Sequence, residues 1–223
     1  MTHKLLFRKG NAKLASQIYT FSLPAGYTCP GAKLCQSYAD RITGKITDGK
    51  DTVFRCFSAS QEALLPNVRK ARWANFEALK GLSTEQMADL IMASLPKKAR
   101  IVRVHVSGDF YSADYFNAWV SVAKARPEVL FYAYTKSLHL IPSVWPANLR
   151  LTFSEGGKYD NLINGRKSAK VVFDPMEAEA LGIEIDHDDS HAYEGDKSFA
   201  LLIHGIQPAG SMASKATSKL KKK

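Results

Sequence analysis

From residue 100 onward the chain alternates between two hydrophobic periods. Residues 100–110 (RIVRVHVSGDF) place apolar and polar side chains on successive positions, as a strand does, and residues 112–126 then space Tyr115, Phe116, Trp119 and Val122 three and four apart, as a helix does. Ser112 can cap that helix and Pro127 ends it. The alternation continues with a strand at 129–137, a short helix-like stretch at 138–145 and a strand at 148–157. A strand and helix at 169–182, with Pro175 at the helix start, and a last strand at 198–205 complete it. Strands that alternate with helices build parallel βα units with right-handed crossovers. The fold class predicted is α/β, a small or incomplete (β/α) barrel with mostly parallel strands, the open α/β sheet being the other arrangement these units allow. No internal repeat of fixed period is present.

The first hundred residues are less regular. Residues 13–23 hold Ile18, Tyr19, Phe21 and Leu23 in a β-prone run that Pro24 and Gly26 turn into a loop. A turn-rich excursion at 43–51 precedes a β-prone stretch at 52–57. A helix is expected to follow Ser60, with Leu64, Val68, Trp73, Phe76 and Leu79 on one face, Pro66 in its first turn or interrupting it, and Gly81 as its stop. A second helix is expected at 84–95, capped by Ser83 and closed by Pro96.

Composition narrows this picture. With 223 residues, 45% of them hydrophobic, the chain can bury one sizeable core, so the expectation is a single α/β domain over 1–214 followed by a basic, disordered tail at 215–223, KATSKLKKK. Nothing approaches the roughly 18 consecutive apolar residues of a membrane span, which excludes a membrane partner and points to the cytoplasm. The net charge of +10 suits polyanions. A basic nucleic-acid-binding protein, using this surface or the tail and carrying its cysteines only as a structural brace, is therefore the alternative function.

All three cysteines, Cys29, Cys35 and Cys56, fall within residues 27–60. An odd set of thiols so concentrated argues against a disulfide framework and for a metal or cluster site, buried structural thiols being the plain alternative. Structural zinc wants four ligands with a close C-x2-4-C pair, whereas these spacings are C-x5-C and C-x20-C. A 4Fe-4S cluster held by three cysteines ranks first, because it leaves one iron open to a small-molecule ligand.

In βα architectures functional groups collect at the C-terminal ends of strands. Those ends supply His105, Asp109, Lys136 and Glu155 as candidate catalytic pocket residues, and Ser107, Tyr134, Ser154 and His204 as candidate cofactor contacts. Several have plain readings as well: His105 as a core histidine, Asp109 as a helix cap, Lys136 as a solvated charge. The run His187-Asp188-Asp189-Ser190-His191 admits a second metal site, although an exposed acidic loop is its more frequent meaning.

Taken together, TCPGAKLCQSYAD, RCFSASQE, VRKARWANFEAL, RVHVSGDFYSADYFNAW and FYAYTKS resemble phage proteins of the gene product 88 type, which are similar to radical S-adenosylmethionine barrel proteins. The resemblance covers most of residues 19–156. It implies a bacteriophage protein in the cytoplasm of an infected host, with a 4Fe-4S cluster whose open iron can bind the amino and carboxylate groups of S-adenosylmethionine. Cys29 and Cys35 match the loop cysteines after the first strand. Ser37 stands just before Tyr38-Ala39, where related sequences tend to read Cys-Tyr-Ala, so the third thiol here must come from Cys56.

Overall fold

A computed structural model describes residues 4–10 and 14–221. Its main sheet contains β1 (Arg8–Lys9), β2 (Ile18–Thr20), β5 (Ile101–Arg103), β6 (Leu130–Thr135), β7 (Leu149–Ser154), β8 (Ser168–Val172) and β9 (Phe199–Leu202), side by side in that order. A separate hairpin pairs β3 (Ser37–Ala39) with β4 (Ile46–Asp48), where the turn-rich excursion was expected. The helices are α1 (Phe57–Leu64), α2 (Pro66–Leu79), α3 (Thr84–Ser94), α4 (Ala113–Ala125), α5 (Pro175–Ala180), α6 (Ser190–Tyr193) and α7 (Met212–Leu220).

Apart from β1, which runs antiparallel to β2, every neighbour in the sheet is parallel. From β2 to β9 each strand lies beside the next main-sheet strand in sequence. Right-handed crossovers between such neighbours all fall on the same face. The packing agrees. Val102, Phe131, Ala133, Leu149, Leu151 and Phe153 pack with Met87 and Ile91 of α3 and Trp119 and Val122 of α4, and Val172 and Ala200 pack with Ala178 of α5. The opposite face carries Ile18, Tyr132, Ala169 and Phe199, covered by Ala192 and Tyr193 of α6. The sheet is open: β1 and β9 are its edges, so the mostly parallel α/β architecture holds but a closed barrel does not.

Several expectations shift. Residues 52–56 are not a strand; Cys56 is instead the N-cap of α1. The expected helix after Ser60 begins earlier and is two helices, because Pro66 lacks an N–H and forces Leu65 to φ −118° and ψ 90°. The strand expected at 100–110 is regular only over Ile101–Arg103, and His105 at φ 90° breaks its alternation. Ser83 does cap α3, through a reciprocal pair with Gln86, and Ser112 caps α4. The tail is also different from its expectation. Residues 215–220 lie in α7, which Ser211 caps, which buries Ala213 and Thr217, and whose Lys219 pairs with Asp174 at 2.6 Å. Residue 13 of the first expected strand and residues 222–223 of the tail lie outside the described residues.

The acidic run near residue 188 is divided: His187 and Asp188 are exposed, but its other two acids are not. Asp186 and Asp189 are 3% and 1% exposed. Asp189 pairs with Arg103 and accepts the Tyr132 hydroxyl at 3.1 Å, which fixes the turn before α6 on the sheet. Among the described residues no helix is long and apolar enough to cross a membrane.

Candidate functional site

The loop that leaves β2 is held down over the strand ends by its backbone. Leu23 donates to the Ser107 carbonyl at 2.8 Å, Leu34 to Gly156 at 2.9 Å, and Lys158 to Gly31 at 2.8 Å. Two glycines make this approach possible. A methyl group on Gly31 would collide with the Lys136 carbonyl, and one on Gly108, at φ 84°, with the Thr28 hydroxyl. The loop thereby carries Cys29 and Cys35 to the ends of β6 and β7.

Cys56 arrives on a second arm. Its N–H donates to the Ser37 hydroxyl at 3.3 Å, and the preceding Arg55 forms an ion pair with Asp48 of the hairpin at 2.5 Å. The chain beyond β9 closes over the same arm. Arg55 N–H donates to Gln207 Oε1 at 2.7 Å, Gln207 Nε2 donates back to the Arg55 carbonyl at 3.1 Å, and the Ser60 hydroxyl donates to Ile206 at 3.1 Å. His204 packs its ring against Phe57, tilted by 56° with centroids 4.5 Å apart.

All three thiols are free and half-buried. Burial pushes the Cys29 thiol well above its ordinary range, and Asp109, Cys56 and Cys35 push it further. Cys56 is pushed up to about 11 by burial and by Cys35, against the pull of the Ala59 and Ser58 amides in the first turn of α1. Burial raises Cys35 too, while the Lys136 ammonium opposes it. Each thiol thus lies within the electrostatic reach of another. They do not converge on one point: among the described residues no three His, Cys, Asp or Glu side chains stand close enough to hold a single metal ion.

The strand-end residues surround this group unevenly. Asp109 is buried and does not cap α4; its Oδ1 accepts from the Phe110 amide at 2.7 Å and the Thr135 hydroxyl at 2.6 Å, and its Oδ2 from the Lys136 amide at 2.8 Å. Burial raises its pKa against these hydrogen bonds. Lys136 is buried rather than solvated, its ammonium donating to the Ser154 hydroxyl at 2.6 Å and carbonyl at 3.1 Å. Glu155 accepts from the Ser168 hydroxyl at 2.8 Å, and the Ser107 hydroxyl donates to Glu62 at 3.1 Å.

Two candidates point elsewhere. His105 packs its ring against Phe110 and shares a 3.0 Å hydrogen bond with the Tyr115 hydroxyl; burial and the Arg103 charge depress its pKa to about 3, so it stays neutral. Tyr134 lies on the α6-covered face, its hydroxyl 3.4 Å from Asp189 and its ring under Arg103. The HDDSH run likewise builds packing. Asp186 accepts from the Asp189 and His191 amides and from the His191 ring at 2.9 Å.

Sequence reasoning missed Glu62 and Arg72, a buried pair at 2.8 Å whose carboxylate also accepts the Ala25 amide at 2.9 Å where the cysteine loop begins. On separate helices, they share no spacing that would have singled them out.

The profile of a family described as Gene product 88 matches residues 5–222. A Gene 88 protein of Mycobacterium phage D29 is 31% identical over 144 residues, 61% of this chain and 55% of that protein. The Gene 88 protein of Mycobacterium phage L5 is 29% identical over a stretch of the same length and coverage. The match thus spans about half the length of each relative. No solved structure matches the chain.

Proposed function

This chain belongs to the gene product 88 family, and we propose that it holds a 4Fe-4S cluster through Cys29, Cys35 and Cys56, with one iron open to a small ligand. What supports this reading is that two separate arms of the chain, the loop after β2 and the start of α1, carry the three thiols, each within electrostatic reach of another though, among the described residues, not converging on one point.

The donor set suits a cluster better than zinc. Tetrahedral zinc needs its ligands to converge on one point. Cysteines that hold a cluster bind different irons at separate corners, so their sulfurs are spread around it. Binding iron requires thiolates, and burial alone keeps these groups protonated; the metal's own charge reverses that preference. The first-turn amides beside Cys56 and the ammonium beside Cys35 favour the same ionised form.

When bound, the open iron supplies a Lewis acid or a one-electron donor to its ligand. The chain does the positioning. Asp109 ties the ends of β5 and β6 together, Lys136 ties β6 to β7, and the Arg55–Gln207 pair holds the Cys56 arm against the chain beyond β9. The resemblance to radical S-adenosylmethionine proteins makes S-adenosylmethionine the ligand to try first.

Anaerobic reconstitution with iron and sulfide tests this. The expected product binds about four irons, absorbs in the visible range and gives an electron-spin signal on reduction, which added S-adenosylmethionine changes. No bound iron and no visible absorption would overturn the cluster. An intact cluster whose signal ignores S-adenosylmethionine would overturn that ligand alone.

A further inference from the structure

A cavity of about 290 Å³ lies at the start of β7, lined by Arg150, Lys167, Trp145 and Leu151 together with the exposed Asp196. Among the described residues its two cations form no ion pair with Asp196 or any other acid. The Arg150 Nη1 is enclosed in the protein without a hydrogen-bond acceptor. A guanidinium N–H that has lost its water and gained nothing in exchange is costly. Lys167 donates to the carbonyls of His191 at 2.6 Å, of Ala192 at 3.0 Å and of Gly195, all of them uncharged.

The same cavity opens onto a gap in the sheet. Phe153 and Glu155 donate to the carbonyls of Lys167 and Ala169, whereas the Asn148 carbonyl accepts the Phe131 amide of β6. Odd-numbered residues of β7 therefore turn their backbone toward β8, and even-numbered ones toward β6. By that alternation Leu149 and Leu151 face β8, but β8 joins β7 only at Phe153 and Ser154. The Leu149 amide is met locally by the Pro146 carbonyl at 2.9 Å, and the Leu151 amide and carbonyl are left without a strand partner. Side chains alternate as well. Leu149 and Leu151 belong to the core under α3 and α4, so Arg150 stands on the α6 side.

We infer that this gap is a docking site for a short extended segment of a partner protein, carrying an acidic residue between two apolar ones. The segment lies along the free edge of β7 and takes up the Leu151 amide and carbonyl, as an added strand does. Cross-strand neighbours share a face, so the residue beside Arg150 points to the α6 side, where its carboxylate meets Arg150 and Lys167. Its two neighbours point the other way, toward Trp145, which packs on the α3–α4 core. A free anion would answer the cations and leave the strand edge unmet; an apolar strand would do the reverse. The site sits at the start of β7, away from the cysteine arms at the strand ends, and does not depend on a cluster.

The test follows the amide chemical shifts of the isotope-labelled full chain as acetyl-Val-Glu-Val-amide is added, with acetyl-Val-Gln-Val-amide and glutarate as comparisons. Saturable shifts centred on Leu151 and Lys167 are expected, with affinity about tenfold weaker for the glutamine peptide, the worth of one charge-assisted pair. Glutarate, which cannot pair with the strand edge, is expected to bind more weakly than the glutamate peptide. Arg150→Gln should reduce the preference for glutamate without lowering the unfolding midpoint, because an unmet charge leaves with the side chain. Ala147→Glu, an exposed change that adds a competing carboxylate to the cavity lining, should also weaken the glutamate peptide and replaces Arg150→Gln if the latter does not fold. No saturable shift, or equal affinity for the two peptides, would overturn the site. Glutarate binding as tightly as the glutamate peptide would overturn strand docking in favour of a simple anion site. The same results are expected with and without iron, so failure here and failure of the cluster are read separately.

Discussion

Gly31 presses its Cα against the backbone of Lys136 so closely that a methyl group there would lie 1.9 Å from the Lys136 carbonyl oxygen. The contact joins the cysteine loop to the end of β6, so neither side can move alone. Gly31→Ala should lift the loop, cost at least the ~1–3 kcal/mol typical of overpacking, and lower the iron retained after reconstitution. Denaturant unfolding and iron analysis would measure both effects, and wild-type values for both would show that the loop yields without consequence.

Cys56 reaches the site on α1 rather than on the loop of the other two cysteines. If the three thiols act together, Cys56→Ser should abolish cluster iron as completely as Cys29→Ser or Cys35→Ser, with little change in unfolding midpoint. Full iron in Cys56→Ser would show that this thiol is a packing residue.

Asp189 is held in the left-handed region at φ 70°, and its carboxylate meets Arg103 and the Tyr132 hydroxyl on the α6-covered face of the sheet. Removing one partner strands a desolvated charge. Asp189→Ala should cost about 3–5 kcal/mol, whereas the double change Arg103→Met with Asp189→Ala should recover a good part of it. Chemical denaturation of the wild type, both single variants and the double gives the comparison; a double cost equal to the sum of the two single costs would show that the pair is not coupled.

His105 gives the fold an acid weakness. Its pKa is about 3 in the folded chain against about 6.5 when unfolded, so below pH 6.5 the unfolded state binds a proton that the folded state refuses. The stability it contributes is whole above about pH 6.5 and declines as the pH falls toward 3, by roughly 4–5 kcal/mol at the limit. His105→Gln, which can still bond to Tyr115, should flatten the stability–pH curve between pH 6.5 and 3. A curve of unchanged slope would rule out His105 as the source.

What could be read ahead of the structure depended on whether periodicity or burial decided the matter. Trp119 and Val122 on one helix face and the alternation through Phe131 and Ala133 are packing signals, and they placed α4 and β6 correctly. Cys29 and Cys35 were legible as a loop because Pro24 and Gly26 end the strand before them. His105 was misplaced because alternation carries no information about a positive φ at a non-glycine residue. Asp189 read as solvent-facing because its pairing is with Arg103, more than eighty residues earlier in the chain. Pro66 offered two readings, and the extended Leu65 decided for the break.

The pair between Arg55 and Gln207 spans 152 residues of sequence. It can form only after β9 has been synthesised and docked, and ordering so long a loop is the kind of contact that forms late in folding. Both cysteine arms leave the ribosome well before that moment. On the proposed reading, the nascent chain therefore exposes the thiols to iron and sulfide before the contact that holds the Cys56 arm in place exists.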